Sequence, residues 1–117
     1  MTGANDIGVM FRKGGYRSAV FPLSLLSLCD LKGECEELDA IIIDTDSRFD
    51  DPRTAADKVA QATRLLQELP CDRYFNKTCS VFRGNIGAEF DSMQDVLGVS
   101  CSMVIAGFPG NGRTTVD

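Results

Sequence analysis

"AIIIDTDSRFDDPRTAADKVAQATRLLQ", Ala40 to Gln67, carries the choice of fold in one continuous stretch. Ala40–Asp44 is an unbroken apolar, β-branched run, the composition of a strand covered on both faces. Asp51-Pro52 then supplies a helix cap and a proline suited to the first helical position. Ala55, Val59, Ala62, Leu66 and Leu69 follow at alternating spacings of four and three, an apolar stripe along one side of a helix. A strand, a polar loop and an amphipathic helix in sequence form the repeating unit of an α/β sheet.

The same alternation extends in both directions. Upstream, "GANDIGVMFRK" (residues 3–13) predicts a short helix with Ile7, Met10 and Phe11 on one side, stopped by Gly14-Gly15, and "YRSAVFPL" predicts a strand closed by Pro22. Within the ambiguous residues 23–39, "LSLLSL" reads as either helix or strand and "DLKGECEELD" as a polar, exposed connection. Downstream, "RYFNK" (73–77) reads as a strand. Asn85 then caps a helix burying Ile86, Phe90, Met93 and Leu97 and ending at Gly98, and "SMVIAG" (102–107) reads as a final strand. Such an order predicts an α/β fold: a mostly parallel, Rossmann-like sheet with helices on both faces.

The chain's 117 residues are enough for one domain with a core. A formal charge of −5 argues against general nucleic-acid binding, and no stretch approaches the roughly 20 apolar residues of a membrane span. With no signal-type N-terminus, the expected location is cytoplasmic. Five cysteines (Cys29, Cys35, Cys71, Cys79 and Cys101) form no C-x-x-C pair, and histidine is absent. We therefore expect reduced, mostly buried thiols, no metal site, and no Ser-His or Cys-His nucleophile pair. Asp44 and Asp46 could serve as a base or a metal ligand but read more simply as turn residues, and Cys79, lacking an activating histidine, reads as packing. No catalytic residue is assigned.

Ligands of parallel sheets sit beyond the carboxyl ends of the strands. Thr45–Arg48, Thr78–Asn85 and Phe108–Thr114 each follow a predicted strand, so all three are expected on one edge. Four of the twelve cations, Arg48, Lys77, Arg83 and Arg113, would then converge there, and an acidic chain that gathers cations in one cleft is built to hold an anion. At "RGN", Gly84 permits close backbone approach and the helix start offers unpaired amides, while Arg83 adds a planar fork for a carboxylate or phosphate. "GFPGNGRT" (107–114) imitates a P-loop, but arginine stands in the lysine position and no long helix is expected to follow, so we do not read it as one.

Four motifs, "TGAND", "DTDSR", "KTCSVFRGNIGAEFD" and "GFPGNGRTTVD", occur in the order and at the spacing of the four-carbon acid sugar kinases. Nearly the whole chain resembles their N-terminal, substrate-binding domain. The resemblance implies the acceptor-binding portion of an ATP-dependent kinase for threonate, erythronate or 3-oxo-tetronate, with ATP and magnesium held by a separate C-terminal domain. It implies substrate contacts from Arg48, Lys77, Ser80, Arg83, Gly84, Asn85, Asn111, Gly112 and Arg113, and it places Thr2 and Asp6 in the motif that opens the family's first helix. Cys79 and Val81 depart from the family's usual aspartate and threonine. Residues 1–117 are expected to be a single partial domain. They are expected to lack the family's first strand and nucleotide-binding domain, to carry no cofactor, and to transfer no phosphate alone. The expected partner is a small sugar-acid anion; a homo-oligomer or a separate chain with the nucleotide domain stays open. The alternative is a non-catalytic anion-binding or protein-interaction module.

Overall fold

The computed structural model describes residues 2–27, 31–33, 35–79, 81–105, 107, 110, 112 and 114. Their order is α1 (Thr2–Lys13), β1 (Ser18–Pro22), a 3₁₀ turn (Leu23–Leu25), β2 (Ala40–Asp44), α2 (Pro52–Gln67) and α3 (Ile86–Leu97). β1 and β2 pair in parallel, from Ser18 against Ala40 to Pro22 against Asp44. Arg17 and Asp39 clamp the start of this ladder. The Asp39 carboxylate accepts from the Arg17 backbone amide at 2.8 Å and from its Nε at 3.2 Å. These bonds hold the carboxyl of Asp39 below the usual carboxylate range.

Helix α1 lies against both strands. Its point of closest approach is Gly8, which is buried, whereas Met10 is half exposed. The predicted apolar side is therefore displaced: a glycine, invisible to an apolar pattern, faces the sheet. A Cβ at Gly8 would stand 2.9 Å from Cγ2 of Val20, too near for any side chain. The Ser18 hydroxyl donates to the Gly8 carbonyl at 2.9 Å, tying helix to strand. After Lys13 the helix closes through Gly14 and Gly15, the latter at φ 86°, with the Tyr16 amide donating back to the Phe11 carbonyl.

Helices α2 and α3 pack mainly on each other. α2 begins as its sequence dictates: Asp51 Oδ1 accepts from the amides of Arg53 and Thr54, its Oδ2 accepts from the Thr54 hydroxyl at 2.6 Å, and Pro52 takes the first turn. Ala55, Val59, Ala62 and Leu69 of the predicted stripe are buried. Thr63, also buried, satisfies its hydroxyl on the Val59 carbonyl at 2.7 Å. From α3, the Ser92 hydroxyl donates to the Ala56 carbonyl at 2.7 Å. α3 ends on Gly98 in the left-handed region. Its predicted face of Ile86, Phe90, Met93 and Leu97 is half-buried, and no residue of the helix is fully buried.

The structure corrects the sequence reading at several points. Residues 73–77 and 102–105 carry no strand pairing; among the described residues the sheet is parallel but has two strands. Strand preference is local, whereas a ladder needs a neighbouring backbone, and among the described residues no third strand aligns beside these two. Met103 and Ile105 are accordingly 85% and 78% exposed. Within residues 23–39, the polar connection hides an apolar anchor, Leu31, which is wholly buried. The thiols are also less buried than expected: Cys35, Cys71 and Cys79 are half-buried and Cys101 is exposed, with no disulfide among them, while Cys29 lies outside the described residues.

Gly8→Val should lower stability by about 1–3 kcal/mol, as overpacking does where a stiff β-branched neighbour cannot yield. The check is the midpoint of urea unfolding, which should fall with an unchanged slope.

Candidate functional site

The polar loop Thr45–Asp51 leaves the carboxyl end of β2 and delivers the chain to α2. Asp46 takes a left-handed conformation (φ 47°), and its amide donates to Asp44 Oδ1 at 3.2 Å. The acidic pair thus shapes a turn. Ser47 points inward and is buried at 6% exposure, leaving Arg48 and Phe49 outside. The guanidinium carbon of Arg48 sits 5.3 Å from the centroid of the Phe49 ring, within cation–π range. At the loop's far end Lys58 Nζ lies 2.6 Å from Asp50 Oδ2, a charge contact without hydrogen-bond alignment, and 3.4 Å from the Asp46 carbonyl.

The turn before α3 abuts this loop. Phe82 (φ 51°) and Gly84 (φ 105°) bracket Arg83 in left-handed backbone. The second value suits glycine alone. A Cβ at Gly84 would stand 3.5 Å from the Arg48 carbonyl oxygen and 3.6 Å from Arg48 Cγ, so the "RGN" turn rests directly on Arg48. Asn85 occupies the cap position of α3 but does not cap it. Its Nδ2 donates instead to the Asp50 carbonyl at 2.7 Å, joining the two loops. This corrects the expectation of an asparagine cap: tertiary contact draws the amide away, and the first-turn amides of α3 keep no side-chain acceptor from it.

The structure therefore brings Arg48, Gly84 and Asn85 together, with Arg83 directly before Gly84 in sequence. Lys77 behaves differently, since its Nζ donates to the adjacent Thr78 carbonyl at 2.7 Å. Gly112 is exposed, in left-handed backbone (φ 70°), with open space where a Cβ would point. Ser80, Asn111 and Arg113 lie outside the described residues. Asp6 is exposed on α1, and the Thr2 backbone opens that helix.

Two participants escaped the sequence reading. The Ser47 hydroxyl donates to Glu89 Oε1 at 2.7 Å across 42 residues of chain. An acidic residue in the first turn of α3 was a local signal for Glu89, through its favourable position on the helix dipole, but nothing local announces its partner. Cys79 was read as packing for want of a histidine, yet the loop supplies what an imidazole would. The Val81 amide and then the Arg83 side chain hydrogen-bond the sulfur and lower its pKa from the ordinary thiol value to about 7, against a smaller opposing push from desolvation. Among the described residues no group of three or more Cys, Asp or Glu stands close enough to hold a metal ion. No step is assigned to magnesium or ATP.

Because the lowered pKa favours the thiolate, alkylation of Cys79 by iodoacetamide should rise through about pH 7. In Arg83→Ala the inflection should move to higher pH, because a partner of the anion is gone. Peptide mapping across a pH series measures both.

The family described as a sugar-binding N-terminal domain matches residues 1–117. The chain is 40% identical over 117 residues to a D-erythronate kinase of Heliobacterium modesticaldum, covering 99% of this chain and 26% of that protein. It is 32% identical to a D-threonate kinase of Salmonella typhimurium, covering 99% of this chain and 26% of the relative. A 3-oxo-tetronate kinase of Pseudomonas fluorescens is also 32% identical, with 97% of this chain and 26% of the relative aligned. The chain thus spans about a quarter of the length of these relatives. With a match across every residue and relatives that are all kinases of four-carbon sugar acids, the chain belongs to the family of sugar-binding N-terminal domains.

Proposed function

We propose that this chain is the acceptor-binding portion of an ATP-dependent kinase, and that its site takes the carboxylate of a four-carbon sugar acid such as erythronate, threonate or 3-oxo-tetronate. One observation carries the reading: the start of α3 is left uncapped by Asn85, and Arg48 is packed against the glycine that precedes it. Unpaired amides at a helix start attract an anion, and an adjacent guanidinium offers a bidentate fork that matches a carboxylate.

In this reading Arg48 and Arg83 face the carboxylate, and Gly84 keeps side-chain bulk away from it. Asn85 has committed its Nδ2 to Asp50 and retains its carbonyl oxygen to accept from a substrate hydroxyl. Lys77, Ser80, Asn111, Gly112 and Arg113 complete the proposed contact set. These groups bind and orient the acid; the phosphoryl donor, ATP with magnesium, is assigned to another part of the kinase. The relatives' activities on erythronate, threonate and 3-oxo-tetronate support the substrate class, and the match of this chain to a sugar-binding N-terminal domain supports the binding role.

A second reading, a module that meets another protein chain, is favoured by the exposed apolar run Met103, Val104 and Ile105. Sedimentation velocity tests its self-associating form: a concentration-independent monomer removes pairing between copies through this run, whereas self-association abolished by Ile105→Lys supports it.

Calorimetric titration with D-erythronate and D-threonate should show binding that Arg48→Ala weakens about 10- to 100-fold, as loss of a charge-assisted pair does. Gly84→Ala should weaken it as well, because the added methyl group forces the turn out of its left-handed backbone. Unaltered affinity in both variants would reject the site.

A further inference from the structure

The Ser47 hydroxyl has one hydrogen to give, and it goes to Glu89 Oε1 at 2.7 Å, since a carboxylate accepts and does not donate. Thr45 Oγ1 lies 2.9 Å from the same hydroxyl and must therefore donate to it. These bonds form a directed relay from Thr45 to Ser47 to Glu89, crossing from the loop after β2 to the first turn of α3. Arg48 follows Ser47 directly, and Gly84 and Asn85 stand just ahead of α3, so the relay spans the two sides of the candidate site. Two other ties, Asn85 Nδ2 to the Asp50 carbonyl and Lys58 Nζ to the Asp46 carbonyl, hold other points of the loop. Of the three, Glu89 alone reaches the residue next to Arg48.

We propose that Glu89 is a positioning residue: without touching the ligand, its carboxylate holds Ser47 and so fixes where the Arg48 guanidinium stands relative to the start of α3. The inference rests on the anion-site reading above. A long arginine on a loose loop must be ordered when the ligand arrives, which lowers affinity, and a tether made beforehand removes that cost.

The test compares Glu89→Ala, Glu89→Gln, Ser47→Ala and the double alanine variant in the 117-residue chain. D-erythronate affinity is read by calorimetry, and amide hydrogen exchange at Asp46 and Asp50 is read without ligand. Glu89→Ala and Ser47→Ala should each weaken binding about tenfold, the loss of one hydrogen bond to a charged group. The double variant should be no weaker than either single within about twofold, because both remove the same interaction. Glu89→Gln, whose amide oxygen still accepts from Ser47, should stay within about threefold of the unsubstituted chain. Exchange at Asp46 and Asp50 should quicken in the alanine variants and not in Glu89→Gln, with protection in α2 unchanged. Normal exchange and affinity in Glu89→Ala would overturn the inference, as would additive effects in the double variant or a loss of α2 protection alongside affinity. An unsubstituted chain that binds no four-carbon acid overturns the functional reading and this inference with it, and it is told apart because the failure precedes any substitution.

Discussion

The contact on which the candidate site depends is the seam between the loop after β2 and the turn that opens α3. Three kinds of interaction make it: the Ser47–Glu89 hydrogen bond, the Asn85 amide on the Asp50 carbonyl, and the packing of Gly84 against Arg48. Ser47 is buried, so losing its acceptor costs about 1–3 kcal/mol for an unsatisfied hydroxyl. The seam is therefore an energetic constraint as well as a geometric one. It sets Arg48 beside the turn that carries Arg83 in a chain of net charge −5.

Support for the seam comes from beneath. α2 and α3 pack along their lengths, with Ser92 on the Ala56 carbonyl and Gln67 Nε2 on the Val96 carbonyl at 3.2 Å. The Asp51 cap fixes where α2 begins and so where the Arg48 loop must end. The carboxyl of Asp51 is held below the usual carboxylate range, first by the Thr54 hydroxyl and then by the backbone amides it caps. A depressed carboxylate contributes its stability above the unfolded pKa and loses it as pH falls through the folded one. The same amide-to-anion chemistry recurs at Cys79, where the sulfur takes the place of the carboxylate oxygen.

Much of this was legible in the residues. The strand at Ala40–Asp44, the capped helix from Pro52 and the glycine stops at Gly15 and Gly98 each follow from local pattern and local chemistry. Arg48, Gly84 and Asn85 were singled out because they follow strands or open helices. Gly8 was not legible, because a glycine adds nothing to an apolar stripe and its role is to let Val20 come close. Strands at 73–77 and 102–107 were expected from β-branched and aromatic content, yet pairing requires a neighbour that their own residues do not provide.

By itself the sequence determined where the main helices begin and end and where the strand at Ala40–Asp44 lies, because each depends on groups a few residues apart. Only the tertiary structure decided that Asn85 serves Asp50 and not its own helix, that Glu89 holds Ser47, and that Arg48 lies on Gly84. Those choices join residues more than thirty positions apart. The physical reason is that hydrogen-bond donors and acceptors take the partners that folding brings near, and nearness across distant segments is a property of packing.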